Sequence, residues 1–173
     1  MKTKSFRAVL IAVFAALYLF CPADTPAQKN KTETQIPDSE MLRKYKITGD
    51  FYDRLQAQET GWEFSGFFLS PLKDTPEKTF GLDFQKEDKQ VRVYIYEYET
   101  AAQAAKFSVL NIHISGGRVE EYKRYGDEGK KVYGDNEFSS LSFRKNRFVV
   151  SIYCVDEKTA ERFAGYFSDV INS

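Results

Sequence analysis

Gln90 to Tyr98 alternates without a break: Val91, Val93 and Ile95 fall on one side of an extended chain, Arg92, Tyr94, Tyr96 and Tyr98 on the other. A period of two is what a β-strand produces, because successive side chains point to opposite faces of the sheet. The pattern returns in Arg147 to Val155, where Phe148, Val150, Ile152 and Cys154 oppose Val149, Ser151 and Tyr153. Strands of this kind need a sheet with one face packed on a core. Further strands are predicted at Trp62 to Leu69 (stopped by Ser70-Pro71), Thr79 to Gln85, Arg118 to Tyr125 and Phe138 to Phe143. Glu87-Asp88-Lys89, Gly126 to Gly129 and Arg144 to Asn146 read as turns. Hairpin-length connections favour antiparallel pairing.

Helical spacing appears in four places. Met41, Leu42 and Tyr45 predict a helix ended by Gly49, and Phe51, Tyr52 and Leu55 a second short one. Thr100 is the expected N-cap of an Ala-rich helix from Ala101 to about His113, closed by Gly116-Gly117. Asp156 is the expected cap of a last helix, whose stripe is Ala160, Phe163, Ala164, Phe167, Val170 and Ile171. The sum is an α+β fold: an antiparallel sheet of five to seven strands packed with two long helices, an α/β sandwich.

The first residues set the address. Lys2, Lys4 and Arg7 precede a 13-residue apolar run, Ala8 to Phe20, and small residues follow. That is the pattern of a secretory signal peptide, and the run is short of the ~20 residues a bilayer-spanning helix needs. Cleavage is expected after Ala23, with the site after Ala27 as the alternative, so no stable transmembrane segment remains. Cys21 raises lipidation, but Phe20 stands where a small residue is expected before a lipid-modified cysteine. Residues 24–37 are polar and Pro-containing, a flexible linker, and Asn30-Lys31-Thr32 matches the glycosylation pattern by chance composition. Residues 38–173 form the single domain. The localisation expected is periplasmic or extracellular, with lipid anchoring the minority outcome.

The leader holds three of the 25 basic residues and none of the 25 acidic ones, so the remainder is mildly acidic. This opposes nucleic-acid binding, which needs a concentrated basic face. Cysteine use excludes a disulfide scaffold; the 15 Phe and 11 Tyr supply a core instead.

Chemistry-bearing patterns are sparse. His113 is the one histidine and reads as a helix-end side chain. No serine sits in a nucleophile-elbow sequence. Cys154 alternates inward with apolar residues, where a thiol keeps its proton. Asp127, Glu128, Asp135 and Glu137 lie in acidic loops that lack the spacing of a calcium loop; no metal or cofactor is expected, and these four are the candidates for a carboxylate-dependent hydrolase. The most suggestive feature is Arg92, Tyr94, Tyr96 and Tyr98. On an open face it is a contact ladder for a protein, glycan or lipid ligand; under a helix it is the second side of a core.

Three stretches carry a resemblance: Val91 to Ala105, a Tyr-rich strand running into an Ala-rich helix; Tyr125-Gly126-Asp127-Glu128-Gly129; and Leu141-Ser142-Phe143-Arg144 through Val150. They cover about the last half of the chain, which resembles the PsbP-like and LpqN-like exported α/β sandwich domains and related bacterial secreted families of unknown function. The resemblance implies an antiparallel sheet between helices and a non-catalytic accessory or binding role in the cell envelope; it carries over no functional residue. A secreted hydrolase and a self-associating structural protein are the alternative functions.

Overall fold

The computed structural model describes residues 39–70, 78–106, 117–135 and 137–172. The expected leader with Cys21, the expected linker, residues 71–77 and the 107–116 stretch with His113 lie outside them. In order the elements are α1 (Ser39–Arg43), α2 (Lys46–Gln58), β1 (Glu63–Ser70), β2 (Lys78–Lys86), β3 (Lys89–Glu97) and α3 (Ala101–Lys106). After these come β4 (Arg118–Glu121), β5 (Glu128–Gly134), β6 (Glu137–Lys145), β7 (Phe148–Tyr153) and α4 (Glu157–Asn172). The strands form one seven-stranded sheet, β1-β2-β3-β7-β6-β5-β4, antiparallel at every pairing. The fold is an α+β sandwich.

Alternation fixes the register. Leu82 pairs with Val93, Val93 with Ile152 and Ile152 with Leu141, so one apolar row crosses four strands. Beside it Phe80, Ile95, Val150 and Phe143 make a second row. A one-residue slip would turn both rows to the opposite face. Against this face pack α2, through Phe51 and Leu55, and α4, through Ala160, Phe163, Ala164 and Phe167, all fully buried. Phe51 and Phe167 stack at 3.6 Å, and Phe163 meets Trp62 edge-on at 5.1 Å. Each buried Phe contributes about 1.5–3 kcal/mol by leaving water, with ring pairing adding a little more.

Three hairpins turn in two residues: Lys86 pairs with Lys89, Gly134 with Glu137, and Lys145 with Phe148. Each first loop residue takes the positive φ that such turns demand: Glu87 (55°), Asp135 (48°) and Asn146 (53°). The expected caps form. Thr100 Oγ1 accepts from the Gln103 N–H at 3.1 Å while Gln103 Oε1 accepts from the Thr100 N–H at 3.0 Å, a reciprocal capping box. Asp156 accepts from the Lys158 N–H and from the Thr159 hydroxyl.

Three expectations are corrected. Gly49 does not end a helix; the chain breaks at Lys44–Tyr45, and Gly49 lies in the first turn of α2. A Cβ there would stand 3.1 Å from Arg43 Cα, so the glycine lets α1 fold back onto α2. The Thr48 hydroxyl then donates to the carbonyls of Leu42 and Tyr45, which also accept from the Tyr45 and Gly49 N–H groups. The second helix, expected to be a short one, is the 13-residue α2, which already begins at Lys46; the Ala-rich helix is described over Ala101–Lys106, and the rest of its expected span lies outside the described residues. The predicted Arg118–Tyr125 strand stops at Glu121, and a strand not expected, β5, follows.

Candidate functional site

The sheet's second face is read from the residues that alternate away from α2 and α4. On β3 these are Arg92, Tyr94 and Tyr96, and on β7 Val149, Ser151 and Tyr153. Tyr98 follows the end of β3 and is only 7% exposed, in a small core with Ala104 of α3 and Val149. The ladder is therefore divided. Tyr98 belongs to packing, Tyr96 leans on that packing, and Tyr94 stands between covered and open surface.

Around Tyr94 the rings converge. Phe68 of β1 lies 5.6 Å away at 64°, Tyr153 of β7 lies 5.7 Å away at 86°, and Tyr96 is stacked at 6.5 Å. Phe68 reaches Tyr94 across β2 because the residue between them is Gly81. A Cβ on Gly81 would fall 1.8 Å from the Phe68 ring, so the ring rests on bare backbone. Phe68 and Tyr153 remain 44% and 41% exposed. Phe68 did not figure in the sequence reading, because the bulge between Phe64 and Gly66 breaks the alternation that would have placed it on the tyrosine face.

Arg92 closes one side of this patch. Its guanidinium donates to both oxygens of Asp83 at 2.6 and 3.2 Å, a fork that fixes a planar group beside Tyr94. The hydrogen bond to Asp83 and its charge raise the Arg92 pKa. Burial, with neighbouring phenols, raises those of Tyr96 and Tyr153, so these hydroxyls stay neutral and both donate and accept.

The patch opens into a groove of about 1,100 Å³ at the end of β7. β7 stops at Tyr153, whereas β3 and β6 run on past it to Lys89 and Glu137, which leaves a notch between two hairpins. Its rim carries Asp88, Asp135 and Glu137, all exposed, and no ion pair engages them among the described residues. Val155, 86% exposed, completes the rim.

The four acids singled out from sequence do not converge. Asp127 and Glu128 both accept from Arg144, at 2.7 and 2.8 Å, while Asp135 and Glu137 lie beyond the far end of β5, about 20 Å away by strand rise. Cys154 is half-buried, and its thiol donates to the Asp156 carbonyl at 3.2 Å; burial raises its pKa, which keeps it protonated. Among the described residues no three His, Cys, Asp or Glu side chains are grouped to hold a metal, and no helix is long and apolar enough to cross a membrane.

A different polar cluster was not anticipated. Lys131 of β5 points under α4, its side chain 9% exposed, and donates to Glu157 at 2.5 Å and Glu161 at 2.6 Å. Its ammonium stands 4.0 Å over the Tyr122 ring, and the Tyr122 hydroxyl donates to Glu161 at 2.7 Å. Burial alone would depress the Lys131 pKa, but the two carboxylates outweigh it and raise it. Every group is paired, which makes this a clamp between strand and helix rather than a reactive site.

Comparison of the chain with protein-family models, with curated proteins and with solved structures finds no match.

Proposed function

We propose that the chain is an exported, non-catalytic binding domain of the cell envelope whose ligand lies on the Phe68–Tyr94–Tyr153 patch and in the adjoining groove. The observation that carries this reading is the convergence of three partly exposed rings beside a fixed Arg92–Asp83 pair. Rings of this kind give rigid contact area with little side-chain entropy to lose. The leader supports export, and the resemblance of the second half to exported sandwich domains supports an accessory role.

The rim selects the charge of the ligand. Asp88, Asp135 and Glu137 line the groove with no ion-paired cation among the described residues, and Arg92 is already engaged by Asp83. An anionic ligand would be repelled there, whereas Lys or Arg side chains would find carboxylates at the rim and ring faces beyond it. The ligand class is an extended, basic polypeptide segment. The hydrolase alternative is disfavoured by the separation of its four carboxylates. Self-association through sheet edges is disfavoured by the Gly66 bulge in β1 and by the short, charged β4.

Titration with hepta-lysine, followed by amide chemical shifts, tests the proposal. Shifts should centre on Tyr94, Tyr153 and Glu137, and Tyr94→Ala should weaken binding about tenfold, the effect of losing one ring contact. Stronger binding of hepta-aspartate, or of chitohexaose, would replace the basic-ligand reading; shifts that avoid Tyr94 would remove the site.

A further inference from the structure

A second cavity, of about 410 Å³, lies where β3 ends and β7 begins, beneath the α1–α2 junction and the last turn of α4. Its apolar lining is Tyr45, Ile47, Phe148, Val170 and Ile171, each half-buried, from three separate stretches of chain. That size and lining suit a small molecule rather than a polymer. Its charged lining is of two kinds. Glu97, 10% exposed in its side chain, accepts from Arg147 at 2.6 Å and has Lys78 at 3.8 Å. Asp50 is paired with Lys46 at 3.0 Å. Both carboxylates are thus answered, and Lys44 stands at the mouth with no carboxylate partner among the described residues.

The ends of two helices orient the field. The first turn of α2, which starts at Lys46, contains no acidic residue, and its N-cap Tyr45 contributes no side-chain cap; the positive end of that helix adds to Lys44 and Lys46. The carbonyl end of α4 has the opposite sign and carries Val170 and Ile171. The cavity therefore has a positive side and an oily side.

We propose that this cavity binds one long-chain carboxylate, with the head beside Lys44 and Lys46 and the tail along Phe148, Val170 and Ile171. The site is separate from the tyrosine patch and does not depend on the function proposed for it. The apolar residues supply affinity through area removed from water; the lysines supply the sign selection.

The test is calorimetric titration of the full chain with laurate below its micellar concentration, beside dodecyltrimethylammonium and anionic phospholipid vesicles. Laurate should bind at one site, about tenfold or more tighter than the cationic chain, a margin of one well-placed charge. Lys44→Glu with Lys46→Glu should weaken laurate about tenfold and leave the melting temperature near that of the parent, since both side chains are exposed. Methyl NMR should show laurate shifting Ile47, Val170 and Ile171. The proposal is overturned by absent laurate binding, by equal affinity for the cationic chain, by binding to vesicles alone, or by methyl shifts outside this cavity.

Discussion

At Glu87 the chain holds a long side chain at φ 55°, a conformation that Asn and Gly reach at less cost. Glu87→Asn should raise stability by about 0.5–1 kcal/mol, measured by urea unfolding. Gly81 is the reverse case. Gly81→Ala drives a Cβ into the Phe68 ring, and because that ring is 44% exposed it can swing outward. The expected stability cost is modest, about 1 kcal/mol. The consequence for the patch is larger: the Phe68–Tyr94 contact should vanish, and near-UV circular dichroism from the tyrosines should weaken. A spectrum unchanged from the parent would show that Phe68 does not rest on Gly81. The sequence made Tyr94 legible because alternation on β3 is unbroken. It hid Phe68, because the bulge between Phe64 and Gly66 shifts the alternation of β1.

β5 shows why an element can be present and invisible. Gly129, Lys131 and Tyr133 point to the α4 side, and Lys130 and Val132 to the sheet's other face, where they too are buried. Lysines on both faces erase the polar-apolar alternation, so Glu128 to Gly134 reads as a loop. The missing information is Glu157 and Glu161, one helical turn apart on α4, which neutralise Lys131. Lys131→Met should cost about 1–3 kcal/mol, less than a fully buried pair would lose, because both glutamates keep some contact with water. Adding Glu161→Gln should recover part of the loss. Chemical denaturation of the two variants measures both, and full stability in Lys131→Met would show that the clamp contributes nothing. Where the pattern and its compensation fall in the same strand, as in β3 and β7, the sequence was sufficient. Gly49 was misread for a related reason: its signal is proximity to Arg43, which spacing does not reveal.

For the whole molecule, the titrating groups agree on a window of stability. Glu161 is lowered, first by the hydrogen bond from Lys131; Asp156 is lowered, first by Thr159. Burial pushes Glu59 up, but hydrogen bonds from Trp62, Tyr166 and Arg162 together leave it lowered. Depressed carboxylates contribute stability that is full above their unfolded values, 4.5 for Glu and 3.8 for Asp, and is lost as pH falls through the folded ones. On the alkaline side, burial first and then their neighbours push Tyr98, Tyr122 and Tyr166 up to about 12 from 10.0. The unfolded chain sheds those protons first, so stability declines between pH 10 and 12. The raised Lys131 acts with the same sign: its contribution is intact below 10.5 and is lost above it as pH rises through the folded value. Melting temperature should be flat from about pH 5 to 9 and fall on both sides. A melting temperature still rising above pH 10 would contradict these assignments.

The aromatic face laid down by α2 and β1 to β3 is covered by α4, the last described element of the chain. Synthesis delivers polypeptide from the N-terminal end, so Phe51, Phe80 and Phe84 emerge well before Phe163 and Phe167 exist to meet them. The early half cannot bury its rings by itself, and β3 must also wait for β7, its sheet neighbour from the far half. Vectorial synthesis thus leaves the early rings uncovered until the sixteen-residue α4 arrives, a delay during which a holding chaperone would meet exposed apolar surface.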